Sequence, residues 1–369
     1  MAPNHRNQIA LGGEFPLSSF AKNSLALNNA HPSPGTIYFE SGRDAIRALL
    51  TTFPTRQILA SSYSCETVIS ALGCSSRNNL KLLEIDSTMY PDPQLIKEQL
   101  LSQAGDYSNS LFFLGNLWGT PYPLELISFL KSFRDGGGIV VEDITHKFDL
   151  GPMAEVDGWI CSVRKWFGTS GLATLDLNHH GFNADQKNLR VAPLVSGRLI
   201  LMKSLNYFPR QSILRRQIIE RLRNSDAALG SSNLISLAST HEIRRFKHQD
   251  WQQIFAARIR NKIVYEQQLQ QNSLIQILNP TTENLSSFPT TIKISTGNTG
   301  LRAFLRSNDI FAANLWPLGQ WGIAHLGATG LSHLTLTLPS DQRFNSGSCA
   351  RVADIVNQYQ NTNLPSGMI

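Results

Sequence analysis

A lysine stands inside an apolar run at WICSVRKWFGTSG, residues 159–171, where Lys165 follows Ser162 by three positions and precedes Trp166 and Phe167. An amine among aromatic side chains is either the snorkelling end of a strand or a group held there for its nucleophilicity. Two other stretches are loaded in a similar way. GGIVVEDITH ends an apolar run in Glu142 and Asp143 with His146 close behind, and SGRDAIRALL opens a helical pattern with Ser41, Gly42 and Arg43. The latter combines free N–H groups, the positive end of a helix dipole, a hydroxyl and a guanidinium, the composition of an anion cradle as well as of an ordinary serine N-cap. A lysine to hold an aldehyde, a carboxylate to keep a pyridine nitrogen protonated and a cradle for a phosphate are together what pyridoxal phosphate requires.

Those residues need a scaffold that brings them to one edge. Apolar runs of strand length, RQILASS, LKLLEID, SLFFLGN, GGIVVED, GWICSV, LATLDL and RLILMK, alternate with helical-period segments such as TPYPLELISFLKSFRD. Continuous apolar strands separated by helices predict a mostly parallel sheet covered on both faces. In such a sheet, ligand-handling residues gather at the carboxyl ends of the strands. From about Pro209 the texture changes to long polar helices, PRQSILRRQIIERLRNSD and DWQQIFAARIRNKIVYEQQLQQ, then short strands in TTIKIST and LSHLTLTLP and a last helix near CARVADIVNQY. The expected organisation is an N-terminal arm over 1–36, a large α/β domain over 37–230 and a smaller C-terminal α+β domain over 231–369.

In their order and spacing, YFESGRDAIRALL, SSYSCETVISALG, SLFFLGNLWG, VVEDITHKFD, SVRKWFG, RIRNKIVYEQQL and LTLPSDQRF resemble a fold-type I pyridoxal-phosphate enzyme. Within that group the chain is similar to the DegT-like aminotransferase family, best known for sugar aminotransferases, and the similarity spans most of its length. The resemblance implies a catalytic set of Lys165, bonded to the cofactor aldehyde, Asp143, paired with the pyridinium nitrogen, and His146, beside the phenolic oxygen where the family usually has Gln. It implies that Ser162 and the Gly42 and Arg43 amides take the phosphate, with Ser41 and Asn116 completing the cofactor-binding residues. Tyr63 is expected as the stacking ring, since the family's usual aromatic position is Cys65. Two departures matter. Arg43 replaces the Thr of the family's Ser-Gly-Thr turn, and Phe167-Gly168-Thr169-Ser170-Gly171 replaces the Gly-Glu-Gly-Gly run common in sugar enzymes, so a sugar-nucleotide substrate does not follow. The implied reaction is a ping-pong transamination between a small amine donor and a carbonyl acceptor; decarboxylation, elimination, racemisation or a non-catalytic sensing role would use the same scaffold.

Other classes fit less well. A net charge of +6 is spread over solvated helix faces such as RRQIIERLR and RRFKH, without a basic stripe for nucleic acid. Cys65, Cys74, Cys161 and Cys349 show no metal spacing, and His179-His180 lacks a third ligand, so no metal is expected. No apolar span is long enough for a membrane, and the opening MAPNHRNQIALGG has no apolar leader core, which predicts a cytoplasmic protein with reduced thiols. Ser162-Val-Arg-Lys165 also matches S-x-x-K of penicillin-binding enzymes, with Ser231-Ser232-Asn233 imitating a second motif, but K-T-G is absent. Arg164 is expected to face away from Lys165, and Trp316, Trp321 and His325 are either a substrate mouth or core. A stripe of Trp251, Ile254, Ile259, Ile263 and Tyr265 on a long polar helix suggests a covered face and, with the resemblance, a homodimer.

Overall fold

The computed structural model describes residues 33–53, 57–73, 80–100, 107–178, 180, 189–192, 213–214, 217–218, 220–221, 224, 234–282, 286–316 and 326–363. Most of the expected arm, the RLILMK strand, Cys74, His179, Ser231 to Asn233, Trp321, His325 and most of the helix expected after Pro209 lie outside these residues.

The apolar runs become strands. β1 (Ile37–Phe39), β2 (Gln57–Ser61), β3 (Leu80–Leu83), β4 (Ser110–Gly115), β5 (Ile139–Asp143), β6 (Gly158–Cys161), β7 (Ala173–Asp176), β8 (Leu189–Val191) and β9 (Ile235–Leu237) form one sheet in the order β3-β2-β4-β5-β6-β7-β1-β9-β8. β3, β2, β4, β5 and β6 are parallel neighbours, whereas β7 runs antiparallel between β6 and β1. β9 pairs with β1 at Phe39↔Leu237, so the large sheet reaches beyond the expected boundary at 230; a three-residue strand is too short for its period to show in sequence.

Alternation along these strands explains why they are apolar throughout. Leu59, Phe112, Leu114 and Val140 enter one core, while Ile58, Ala60, Leu111, Phe113, Ile139 and Val141 enter the core on the other face. Burying a side chain of this size contributes about 1.5–3 kcal/mol. The helices α1 (Gly42–Thr52), α2 (Glu66–Gly73), α3 (Pro93–Gln99) and α4 (Leu124–Asp135) connect the early strands. α4 starts after Pro123 and buries Leu126, Phe129, Leu130 and Phe133, the spacing expected of one helical face.

Beyond β9 come α5 (Thr240–Lys247), α6 (Trp251–Leu269), β10 (Ile275–Ile277), β11 (Thr291–Ile294), α7 (Asn298–Ser307), α8 (Leu326–Leu334), β12 (Thr335–Thr337) and α9 (Ser346–Asn363). β10, β11 and β12 make a small antiparallel sheet with its own core of Ile292, Ile294, Leu301, Leu305, Leu336 and Val352. LSHLTLTLP is thus only partly a strand: Leu331 to Leu334 close α8, and the strand begins at Thr335.

The stripe expected on α6 is corrected. Trp251 and Tyr265 are buried within the chain, but Ile263 is exposed, and the buried face instead carries Arg258, Asn261 and Lys262. Each of these polar groups answers backbone carbonyls of a neighbouring loop. Asn261 donates to Ser340 O, Asp341 O and Phe344 O, and Lys262 to Ser286 O. A helix packed against loops meets carbonyls that no ladder satisfies, and buried donors fill that need.

Candidate active site

The carboxyl ends of β2, β4, β5 and β6 and the start of α1 surround a cavity of about 330 Å³. All nine residues expected at a cofactor site line it: Ser41, Gly42, Arg43, Tyr63, Asn116, Asp143, His146, Ser162 and Lys165. They come from five chain segments, joined by the crossover topology of the parallel strands.

β5 shows how the strand period assigns its two acids. Adjacent residues point to opposite faces. Glu142 turns into the core, where it accepts from Tyr122 (2.7 Å) and Met153 N (2.8 Å) and pairs with Lys147 (2.8 Å). Asp143 turns to the cavity, and its Oδ1 accepts from Thr145 N–H at 2.9 Å. Thr145, absent from the expected site residues, organises three neighbours at once. Besides Asp143, its hydroxyl accepts from Ser162 N–H (2.9 Å) and its carbonyl from the Trp166 indole (2.8 Å). Asp-Ile-Thr is an Asx-turn pattern, the signal that could have found it.

Lys165 lies in a 3₁₀ turn, Val163–Lys165, immediately after β6, rather than on the strand. The lysine is half-buried, while Trp166 and Phe167 belong to the core behind it. Because successive residues of a 3₁₀ turn are about 120° apart instead of alternating, Arg164 lines the same cavity as Lys165, contrary to its expected outward direction. The Gly-Thr-Ser-Gly segment that follows is anchored away from the cavity. Thr169 and Ser170 donate to Glu242 (2.5 and 2.8 Å), which pairs with Arg245, and Gly171 passes so close to Glu40 that a Cβ would lie 2.6 Å from its carbonyl oxygen.

His146 is 2% exposed, its ring stacked on Phe288 (4.0 Å between centroids) on one contact and Trp316 (5.0 Å) on another. Burial first, and Lys165 second, hold its pKa well below the usual histidine value, so the ring is neutral. Nδ1 accepts from Trp118 N–H at 3.2 Å, which places the ring proton on Nε2, 3.4 Å from Lys165 Nζ. That N–H can be satisfied by Lys165 only when the amine offers its lone pair.

The anion cradle and the N-cap are the same structure. Ser41 Oγ accepts from Asp44 N–H (3.1 Å) and donates to Asp44 Oδ2 (2.5 Å) as it caps α1. Ser162 sits across from Gly42, where an added Cβ would lie 3.6 Å from Ser162 Cβ. Among the described residues no hydrogen bond engages the Ser162 hydroxyl, which therefore remains available at the head of α1. Asn116 has a different task within the wall: its amide donates to Thr120 O (3.0 Å) and its carbonyl accepts from Gly119 N–H (2.8 Å), tying the loop after β4. Tyr63 is 1% exposed, its hydroxyl donating to Leu315 O (3.1 Å) and its ring edge-on to Trp118 and Trp316. Trp316 is, among the described residues, the one lining residue from beyond Lys165.

The residues present fit pyridoxal phosphate. A carboxylate, an amine, and a hydroxyl beside a helix N-terminus line one cavity, and these are the groups that the ring nitrogen, aldehyde and phosphate of that cofactor require. No family model and no curated protein matches the chain. Its fold is shared with solved aminotransferases. The aminotransferase TlmJ from Streptoalloteichus hindustanus superposes with a TM-score of 0.62 at 12% identity, over 89% of this chain and 86% of that one. A DegT DnrJ EryC1 StrS aminotransferase from Brucella abortus gives 0.57 at 11%, over 88% and 86%. Spr1654 from Streptococcus pneumoniae, in its PLP form, gives 0.63 at 12%, over 90% and 88%. At such identities the likeness establishes the fold, and it is the fold that the resemblance to DegT-like enzymes implied.

Proposed function

We propose that this chain is a pyridoxal-phosphate-dependent aminotransferase acting between a small amine donor and a carbonyl acceptor. The observation that carries the reading is the convergence of Lys165, Asp143, His146 and Ser162 on one cavity at the strand carboxyl ends, with Lys165 Nζ 3.4 Å from a neutral His146. When bound, the cofactor supplies an electrophilic aldehyde and an electron-withdrawing ring. Lys165 would be the amine that holds the aldehyde and, when free, would move the proton at the substrate carbon. Asp143, aligned by Thr145, would pair with the ring nitrogen and keep it protonated. His146 would offer its Nε2–H to the phenolic oxygen, and its stacked, dry setting keeps the imidazole from gaining a charge. Ser162 and the first amides of α1, with Arg43, hold the phosphate.

The test is spectroscopic and covalent. Purified protein supplied with pyridoxal phosphate should turn yellow, and borohydride should fix the cofactor on Lys165, read by peptide mass. Amines and keto acids should then change the absorbance in opposite directions. A preparation that remains colourless with added cofactor, or a label on another lysine, overturns the assignment.

A further inference from the structure

Arg258 reaches the site from behind. It lies on α6, fully buried, and its Nη2 donates to both Lys165 O and Trp166 O at 3.2 Å. Its Nε donates to Gln342 Oε1 at 2.7 Å, and the guanidinium sits 4.5 Å from the centre of the Trp166 ring. Gln342 returns to the same place, its Nε2 donating to Trp166 O at 2.6 Å. The two carbonyls are at the exit of the Val163–Lys165 turn, where a helical turn leaves its last acceptors without internal partners. Burial pulls the Arg258 pKa down to about 10 while the nearby Asp341 and Asp149 carboxylates favour its charge, so the group stays a cation at neutral pH, and its Nη2 is spent on backbone acceptors. A neutral donor would satisfy a carbonyl with a smaller desolvation penalty. The planar fork offers what that donor lacks: one rigid group that grips two successive carbonyls while a third contact fixes its own plane.

We propose that Arg258, aligned by Gln342, is a positioning residue for Lys165. The proposal rests on the reading of Lys165 as the cofactor lysine. On its N-terminal side Lys165 is tied by its own N–H to Ser162 O (3.3 Å), and on its C-terminal side by the guanidinium. The backbone at Lys165 is thereby fixed on both sides, and only the side chain swings, along an arc that ends at His146 and the cavity. Without the clamp the turn loses the tie on one side, and the arc moves with it. A misplacement near 1 Å of a reacting group lowers a rate by about 10²-fold. Sequence distance hides the arrangement, since the clamp comes from residues 258 and 342 and the lysine from 165.

Full-length Arg258→Met, Arg258→Lys and Gln342→Leu test it with two readouts. The first needs no cofactor: amide exchange of the peptide spanning Val163 to Phe167, against a control peptide from α4. Arg258→Met should speed exchange in the turn by about tenfold or more with α4 unchanged, since loss of local ties lowers the free energy of local opening. The second is the rate at which added pyridoxal phosphate is captured on Lys165, together with kcat and KM for a donor amine. Capture and kcat should both fall by about 10²-fold with KM little changed. Arg258→Lys, which keeps a cationic donor but not the fork, should recover part of both. Gln342 is only half-buried, so Gln342→Leu gives a gentler perturbation that decides the matter if Arg258→Met fails to fold. Turn exchange and capture at wild-type values in the folded variants would overturn the proposal. A wild-type protein that captures no cofactor would overturn the functional reading instead, and the exchange measurement would still decide the clamp.

Discussion

Replacing His146 by Gln should flatten the acid side of the stability profile. The ring is 2% exposed, and burial, reinforced by Lys165, holds its pKa well below the ordinary 6.5. In the unfolded chain the same imidazole takes a proton near that value. Below it the unfolded state binds more protons than the folded one, so stability is lost as pH falls toward the folded pKa. The slope is at most about 1.4 kcal/mol per pH unit between the ordinary value and the folded pKa. Gln preserves an acceptor for the Trp118 N–H that now meets Nδ1 at 3.2 Å, while removing the titrating group. Urea unfolding of both proteins, followed by tryptophan fluorescence between about pH 7 and about pH 4.5, isolates the effect because the other titrating groups are common to both. The wild type should lose stability faster than the variant below about pH 6.5. Parallel curves across that range would refute the description of His146 as a buried neutral ring.

Other outcomes follow from particular contacts. Gly119→Ala should lower stability by about 2–5 kcal/mol in urea unfolding, since φ is +79° and the new Cβ would lie 2.3 Å from Ser286 Cβ; adding Ser286→Gly should recover part of the loss. Thr145→Val leaves Ser162 N–H without its acceptor, with an expected loss of about 1–3 kcal/mol by calorimetry and weaker uptake of pyridoxal phosphate in a fluorescence titration. Lys147→Met should destabilise by about 3 kcal/mol, because Glu142 stays buried without its cation, and Glu142→Gln on top of it should restore part of that in the same measurement.

What sequence made legible were groups whose chemistry is carried locally. Asp143 ends one apolar strand and Ser162 and Lys165 follow the end of another, and in a parallel sheet strand ends share an edge, so reading each strand is enough to bring them together. The choice between Glu142 and Asp143 also follows from the strand period once one face is known. Arg164 escapes the alternation of a strand because β6 stops at Cys161 and a 3₁₀ turn takes over, which resets the direction of the side chains that follow. Arg258, Asn261 and Lys262 lie outside the apolar stripe expected on their helix, since charged side chains are usually exposed; their burial depends on carbonyls of loops far away in sequence. Trp316 enters the cavity only through the packing of the C-terminal region against Tyr63 and His146, a contact with no local signature.

The pairing of β1 sets a timetable for biosynthesis. Residues 37–39 lie beside residues 173–175 and Leu237, so an early strand must wait for late partners, and such distant closures are slow steps in folding. The turn bearing Lys165 waits longer still, for Arg258 and then for Gln342. At synthesis rates of about 5–20 residues per second, the interval between the appearance of Lys165 and that of Gln342 is roughly 10–35 s. During that time the nascent chain carries the lysine without the groups that orient it, and its exposed parallel strands are open to mispairing. A competent site is therefore among the last features the ribosome-bound chain can complete.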